Sequence, residues 1–176
     1  GSARAVLGNH EFNAIGYATT DPDRTGHFLR IRGTKNRAQH QAFLEAVGLD
    51  SPRHRHWIDW FMTLPLWIED DHMRLVHACW HPASIESLAG KMGPGNTLTP
   101  ELVLASARPG TEEYAAVETL CKGTEVALPP DVTFTDKQGV VRNRTRTKWW
   151  DPEARTFRSA AVLGSQTRAL LPDDPL

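Results

Sequence analysis

The spacing of apolar residues along the chain predicts a mixture of helices and short strands. Apolar side chains recur every three to four residues in segments 35–47 and 51–64, which is the period of a helix with one buried face. Residues typical of helix starts and stops predict three more helices, over 84–90, 99–107 and 111–122. In the 51–64 segment the predicted buried face consists of Trp57, Trp60, Phe61 and Leu64.

Short apolar runs bounded by turn residues predict the strands. The run Ala5–Leu7 is followed by glycine, and we expect a buried strand that delivers Asn9 and His10 to a loop at its carboxyl end. Two more pairs of apolar runs flank short polar turns at 70–71 and 136–139, so each pair predicts a β-hairpin. The predicted fold class is therefore an α+β or α/β mixture.

Charge and composition limit the classes of protein to which this chain can belong. The 20 basic and 21 acidic side chains give a net charge of −1, which excludes a generally basic nucleic-acid binder. Two cysteines cannot make a disulfide framework, so a reducing compartment is expected. No run approaches the roughly 18 apolar residues of a membrane span. We therefore expect a cytoplasmic protein with no membrane partner.

Candidate chemistry begins at Gly8-Asn9-His10-Glu11, directly after the first apolar run. Glycine permits a tight turn, the Asn9 amide oxygen can ligate a divalent cation, and His10 can protonate a departing phosphate-ester oxygen. In the alternative without chemistry, Asn9 caps a turn and His10 is only an exposed side chain. A second apolar strand ends at His77, within Val76-His77-Ala78-Cys79-Trp80, and this imidazole is either a metal ligand or a histidine at a sheet end.

Together these segments resemble the calcineurin-like metallophosphoesterase superfamily, in its bacterial Ser/Thr-phosphatase-like branch. The resemblance runs from about Val6 to Trp150, and its supporting segments are 64–69, 122–129, 136–139 and 148–150. It implies part of a four-layer α/β/β/α sandwich with mixed sheets. The expected organisation is one incomplete domain over 1–176, with a helical insertion at 83–123.

The resemblance implies hydrolysis of phosphate mono- or diesters by a hydroxide activated between two divalent cations. It makes Asn9 and His77 ligands of one cation, His10 the general acid, and Mn, Fe or Zn the expected metals. The implied substrates are a phosphoprotein, a dinucleoside polyphosphate or a nucleotide, and nucleic acid is expected only as substrate. Glu11 is expected to be structural.

The family's upstream Asp-x-His and Gly-Asp-x-x-Asp-Arg-Gly elements and its downstream Gly-His element have no match here. We therefore expect an internal piece of a longer enzyme that alone binds metal weakly and hydrolyses little. Asp70-Asp71-His72 matches Asp-x-His but follows Gly8–Glu11 instead of preceding it, and Gly26-His27 matches Gly-His but comes too early in the chain. Both segments are predicted to be surface turns. Cys79 and His81 are expected to be structural.

A basic alternation occupies the second hairpin, at Arg142, Arg144, Arg146 and Lys148. In a regular strand, period two places all four side chains on one face. That face is either solvated or carries a substrate-binding arginine, for which Arg142 and Arg144 are the candidates. Two alternatives to the enzyme stay open: a non-catalytic interaction domain of the same fold, and a nucleic-acid-binding module that uses the Arg142–Lys148 strand.

Overall fold

The computed structural model describes residues 3–136 and 139–176. The chain divides into two compact units, Gly1–Lys122 and Gly123–Leu176. Helices and small antiparallel sheets occur together, so the predicted mixture of α and β is confirmed at the level of α+β. No helix among the described residues is both long enough and apolar enough to cross a bilayer.

The first unit is mainly helical and contains one β-hairpin. Its sheet pairs Trp67 with Val76, and the hairpin predicted around residues 70–71 is thereby confirmed. Its elements in chain order are α1 (Asn9–Ala18), α2 (Thr34–Gln39), α3 (Gln41–Val47), α4 (Pro52–Met62), β1 (Trp67–Glu69), β2 (Arg74–Val76), α5 (Pro82–Ala89), a 3₁₀ turn (Pro94–Asn96), α6 (Pro100–Ser106) and α7 (Glu112–Lys122).

The helices begin where their capping residues predict. Ser51 accepts a hydrogen bond from the His54 amide, Thr99 from Leu102 and Thr111 from Tyr114. Helices α5 to α7 fill most of the segment 83–123, although the prediction that it is an insertion in a single domain stays a prediction.

Three predictions for the first unit are wrong. Ala5–Leu7 forms no strand, and the helix starts directly at Asn9, so no loop carries Asn9 and His10. The predicted helix over 35–47 is divided at His40, whose backbone leaves the helical region at φ −110° and ψ 6°. Trp60 is 43% exposed, because α4 instead buries His54 and Phe61.

One apolar core connects the elements of the first unit. Helix α1 contributes Phe12 and Ile15, and the segment before it contributes Leu7, which is fully buried. Burial of each such side chain is worth about 1.5–3 kcal/mol. The other fully or nearly buried members are Ala14, Phe61, Leu64, Leu66, Trp67, Leu88, Leu98, Leu102, Val103, Ala116, Val117, Leu120 and Cys121.

The second unit is built from short strands and two short helices around its own small core, which includes Leu128, Ala161 and Leu171. Pairing of β4 with β5 confirms the second predicted hairpin, and Lys137 and Gln138 of its turn lie outside the described residues. Its elements are β3 (Glu125–Ala127), β4 (Phe134–Thr135), β5 (Val141–Arg142), β6 (Arg144–Arg146), α8 (Phe157–Ala160) and α9 (Ser165–Ala169).

The single regular strand expected over Arg142–Lys148 does not form. Arg142 pairs with Phe134 on β4, whereas Arg144 and Arg146 pair with β3. The bond from the Leu128 amide to the Asn143 carbonyl continues the β3–β6 ladder, so the pairing partner changes from β3 to β4 between Asn143 and Arg142.

Candidate functional site

Asn9 and His77, which are 68 positions apart in sequence, meet in the first unit. His77 Nε2 lies 3.1 Å from Asn9 Oδ1, and the imidazole N–H donates this hydrogen bond because an amide oxygen can only accept. Asn9 is half-buried and His77 is exposed, so water and solutes can reach the pair. The two candidate metal ligands are therefore adjacent, and the atoms that would bind a cation, His77 Nε2 and Asn9 Oδ1, face each other.

Gly8 permits this approach. A Cβ atom at residue 8 would lie 2.7 Å from His77 Cε1 and 2.8 Å from its Nδ1, both closer than real side chains tolerate. The backbone itself is ordinary, with φ −101° and ψ 176°, which any residue can adopt. The turn explanation of this glycine is consequently wrong: Gly8 is needed for the space that its missing side chain leaves to His77.

Glu11 closes the other side of Gly8. Its Oε2 accepts a hydrogen bond from the Gly8 amide at 3.2 Å, which satisfies an N–H just before the helix. The carboxylate also stabilises the positive end of the helix dipole. Glu11 is thus a helix-capping residue, in agreement with its expected structural role.

The backbone on either side of His77 is fixed by independent contacts. Val76 is the last residue of β2 and is paired with Trp67. Ala78 donates its amide to the carbonyl of Leu120 in α7 at 3.0 Å. The position of the His77 backbone therefore does not depend on what its own side chain binds.

His10 is the second residue of α1 and is exposed. No carboxylate among the described residues makes a hydrogen bond or an ion pair with its ring. The exposed position leaves the imidazole accessible to a bound solute, and the amino end of a helix attracts anions such as phosphate.

Arg142 and Arg144 lie in the second unit and have acidic partners there. Arg142 Nη2 is 2.7 Å from Asp136 Oδ2, and Arg144 Nε is 3.6 Å from Glu125 Oε2. Both side chains are about half exposed. Their expected role at the phosphate stays a prediction.

The residues expected to be structural are placed accordingly. His81 caps α5, accepting the Ser84 amide at Nδ1, and Cys79 is buried. The turn after β1 is exposed. Its Asp70 accepts amides of His72 and Met73 and pairs with Arg4, and these contacts lower the pKa of the carboxyl group. Over residues 3–136 and 139–176, no three His, Cys, Asp or Glu side chains are grouped closely enough to hold a metal ion.

The structure contains two buried histidines that the sequence patterns did not single out. His40 and His54 are 5% and 2% exposed, and burial lowers the pKa of both. His54 Nδ1 accepts the Asp50 amide, while His40 Nε2 has no hydrogen-bond partner among the described residues. The helical period of α4 could have indicated His54, because it lies seven residues before Phe61.

Comparison of the chain with protein-family models, with curated proteins and with solved structures gives no match.

Proposed function

We propose that this chain contributes to a metal-dependent phosphoesterase in which Asn9 and His77 hold one divalent cation. The contact between their donor atoms, 3.1 Å apart, is the observation that supports the proposal. An amide oxygen and an imidazole nitrogen are suitable ligands for Mn, Fe or Zn. The four-layer sandwich and the cytoplasmic location belong to the same proposal.

The spacing of the two donor atoms is compatible with a shared cation. Metal–nitrogen and metal–oxygen distances of about 2.1 Å at a right angle place two ligand atoms about 3.0 Å apart. The pair lies close to that separation before any metal is added. Two neutral ligands bind weakly by themselves, because carboxylates normally offset the charge of the cations in dinuclear sites.

The chain's own residues then have distinct tasks. A bound divalent cation would supply charge neutralisation on the phosphoryl oxygens and a water of lowered pKa. Asn9 and His77 orient the site, because their backbones are anchored by α1 and by β2. His10, at the adjacent position in the first turn of α1, donates a proton to the departing ester oxygen.

Metal binding is tested on the 176-residue chain by titrating Mn²⁺ and recording NMR line broadening. We expect weak binding that broadens the side-chain signals of Asn9 and His77 first. Asn9→Ala and His77→Ala should each abolish this selectivity, whereas His72→Ala, which removes an exposed histidine in the β1–β2 turn, should not. Equal broadening at His72 and His77 would contradict the assignment of the site.

Hydrolysis is tested with p-nitrophenyl phosphate and Mn²⁺. The assay compares the 176 residues with the longer gene product that the resemblance implies. We expect little or no turnover by the 176 residues and metal-dependent turnover by the longer protein. His10→Ala, Asn9→Ala and His77→Ala should each reduce that turnover by a hundredfold or more. Unchanged activity in all three variants would favour the non-catalytic interaction domain instead.

A further inference from the structure

A cavity of about 710 Å³ lies within the second unit, and three arginines line it. Arg142 comes from β5, and Arg144 and Arg146 come from β6. Although the pairing partner changes at Asn143, the five consecutive residues from Arg142 to Arg146 all line the same cavity. Two carboxylates, Glu125 and Asp136, also line it, so guanidinium groups are in excess.

The carboxylates position two of the arginines. Asp136 Oδ2 receives both Nε and Nη2 of Arg142, at 2.8 and 2.7 Å. Asp136 Oδ1 meanwhile accepts the Val140 amide and is thus fixed to the hairpin. Arg144 donates to the Glu125 carbonyl at 3.3 Å. Each contact restricts a long side chain and leaves further N–H groups of the guanidinium available.

The Arg146 side chain has no hydrogen-bond or ion-pair partner within the part of the chain that the structure describes. It stands opposite Glu125 in the β3–β6 register and is exposed. Its neighbour Thr145 is buried and also lines the cavity. The cavity therefore includes the guanidinium of Arg146, which makes no ion pair with a carboxylate of the described residues.

Apolar side chains line the same cavity and are unusually exposed. Val141 is 65% and Val162 is 43% exposed, and the partly buried Phe134 lies beside them. The Val162 amide donates to the Arg146 carbonyl, so an apolar residue and a cationic residue are adjacent. Exposed apolar surface next to uncompensated positive charge favours an organic anion over an inorganic one.

We propose that this cavity binds a nucleoside polyphosphate. The phosphates lie against Arg142, Arg144 and Arg146, which can each donate two parallel hydrogen bonds. The base lies against Val141 and Val162, which lose exposed apolar surface in the complex. The volume of about 710 Å³ is within the range of about 300–1,000 Å³ typical of small-molecule sites. This binding needs no metal and no residue of the first unit, so it stands apart from the proposed hydrolysis.

Calorimetric titration of the 176-residue chain with ATP, in EDTA to prevent hydrolysis, tests the proposal. We expect saturable binding that weakens with added salt, because the arginines are half exposed. Arg146→Ala should weaken it about five- to tenfold, and Arg146→Lys should recover only part of the loss, since lysine keeps the charge without the planar fork. Arg155→Ala, which removes an arginine outside the cavity, should have no effect.

Further ligands separate the possible sources of the signal. Tripolyphosphate should bind several-fold more weakly than ATP, and adenosine should not bind measurably. Val162→Ser should remove the advantage of ATP over tripolyphosphate, and circular dichroism should show that the fold is retained. The proposal is overturned by a lack of saturable ATP binding, by equal binding of tripolyphosphate, or by an equal effect of Arg155→Ala. Binding of a dT12 oligonucleotide without binding of ATP also overturns it, and would indicate a nucleic-acid surface.

Discussion

The requirement for glycine at residue 8 gives the sharpest test of the candidate site. In Gly8→Ala the new methyl group would lie 2.7 Å from His77 Cε1 and 2.7 Å from Glu11 Oε2. A normal carbon–carbon contact is about 3.5 Å, so the imidazole ring must retreat by about 0.8 Å. Such a movement is enough to break the 3.1 Å hydrogen bond to Asn9.

Overpacking of this kind costs about 1–3 kcal/mol of folding free energy. Loss of the Glu11 bond to the Gly8 amide adds to that cost if the carboxylate turns away. We therefore expect Gly8→Ala to lower the free energy of unfolding by about 1–3 kcal/mol in urea. The NMR signal of the His77 imidazole N–H should shift or disappear at the same time.

Gly16→Ala is the matched control, because it places the same methyl group within α1, the helix that Gly8 precedes. Its Cβ would meet Arg30 Cβ at 3.5 Å, an ordinary contact. Since alanine favours helix over glycine, Gly16→Ala should stabilise the protein by about 0.5–1 kcal/mol. Opposite signs for the two substitutions support the steric explanation. Equal stability changes, or an unchanged His77 signal in Gly8→Ala, would refute it.

Three further predictions concern buried groups and caps. Burial lowers the pKa of His40 and His54 below the unfolded value of 6.5, so unfolded chains bind more protons than folded ones near that pH. Stability should be greatest above pH 6.5 and decline as the pH falls through the lowered folded values; urea midpoints that are equal at pH 8 and pH 5 would contradict this. Burial, followed by the charge of Glu118, raises the pKa of Cys121 to about 12. Its thiol should react with Ellman's reagent at pH 8 only after denaturation, and rapid native labelling would disprove its burial. Ser51→Ala should destabilise α4 by about 1 kcal/mol in thermal unfolding, against no change for the exposed Ser165→Ala, which accepts no cap hydrogen bond.

Features that depend on neighbours in sequence could be predicted well. The caps at Ser51, Thr99 and Thr111 are formed by hydrogen bonds to residues three positions ahead. The hairpin between β1 and β2 is closed by Asp70, whose carboxylate accepts two amides of the same turn. In both cases the free energy comes from contacts within four residues, so the local pattern contains the necessary information.

Features that depend on distant partners could not be predicted in this way. In the apolar run Ala5–Leu7 the Leu7 amide donates to the Pro65 carbonyl, but the run forms no strand. The apolar pattern predicts that Leu7 is buried, and the structure confirms this. A strand also requires a neighbouring strand to pair with, which the pattern does not indicate. The basic segment after residue 140 divides because β3 and β4 each take one part of it, and period two contains no signal for that choice.

The candidate site combines both kinds of feature. Residue types and order indicated Asn9 and His77 through a resemblance, whereas the contact of Gly8 with His77 arises only when the first helix and the hairpin meet. Leu7 bonds to Pro65, Val76 pairs with Trp67 and Ala78 bonds to Leu120, so the backbones of both halves are held by contacts outside the pair. Replacing either polar side chain by alanine therefore removes a donor atom from a scaffold that keeps its shape. For this reason Asn9→Ala and His77→Ala test the proposed chemistry directly, whereas Gly8→Ala tests the geometry on which that chemistry depends.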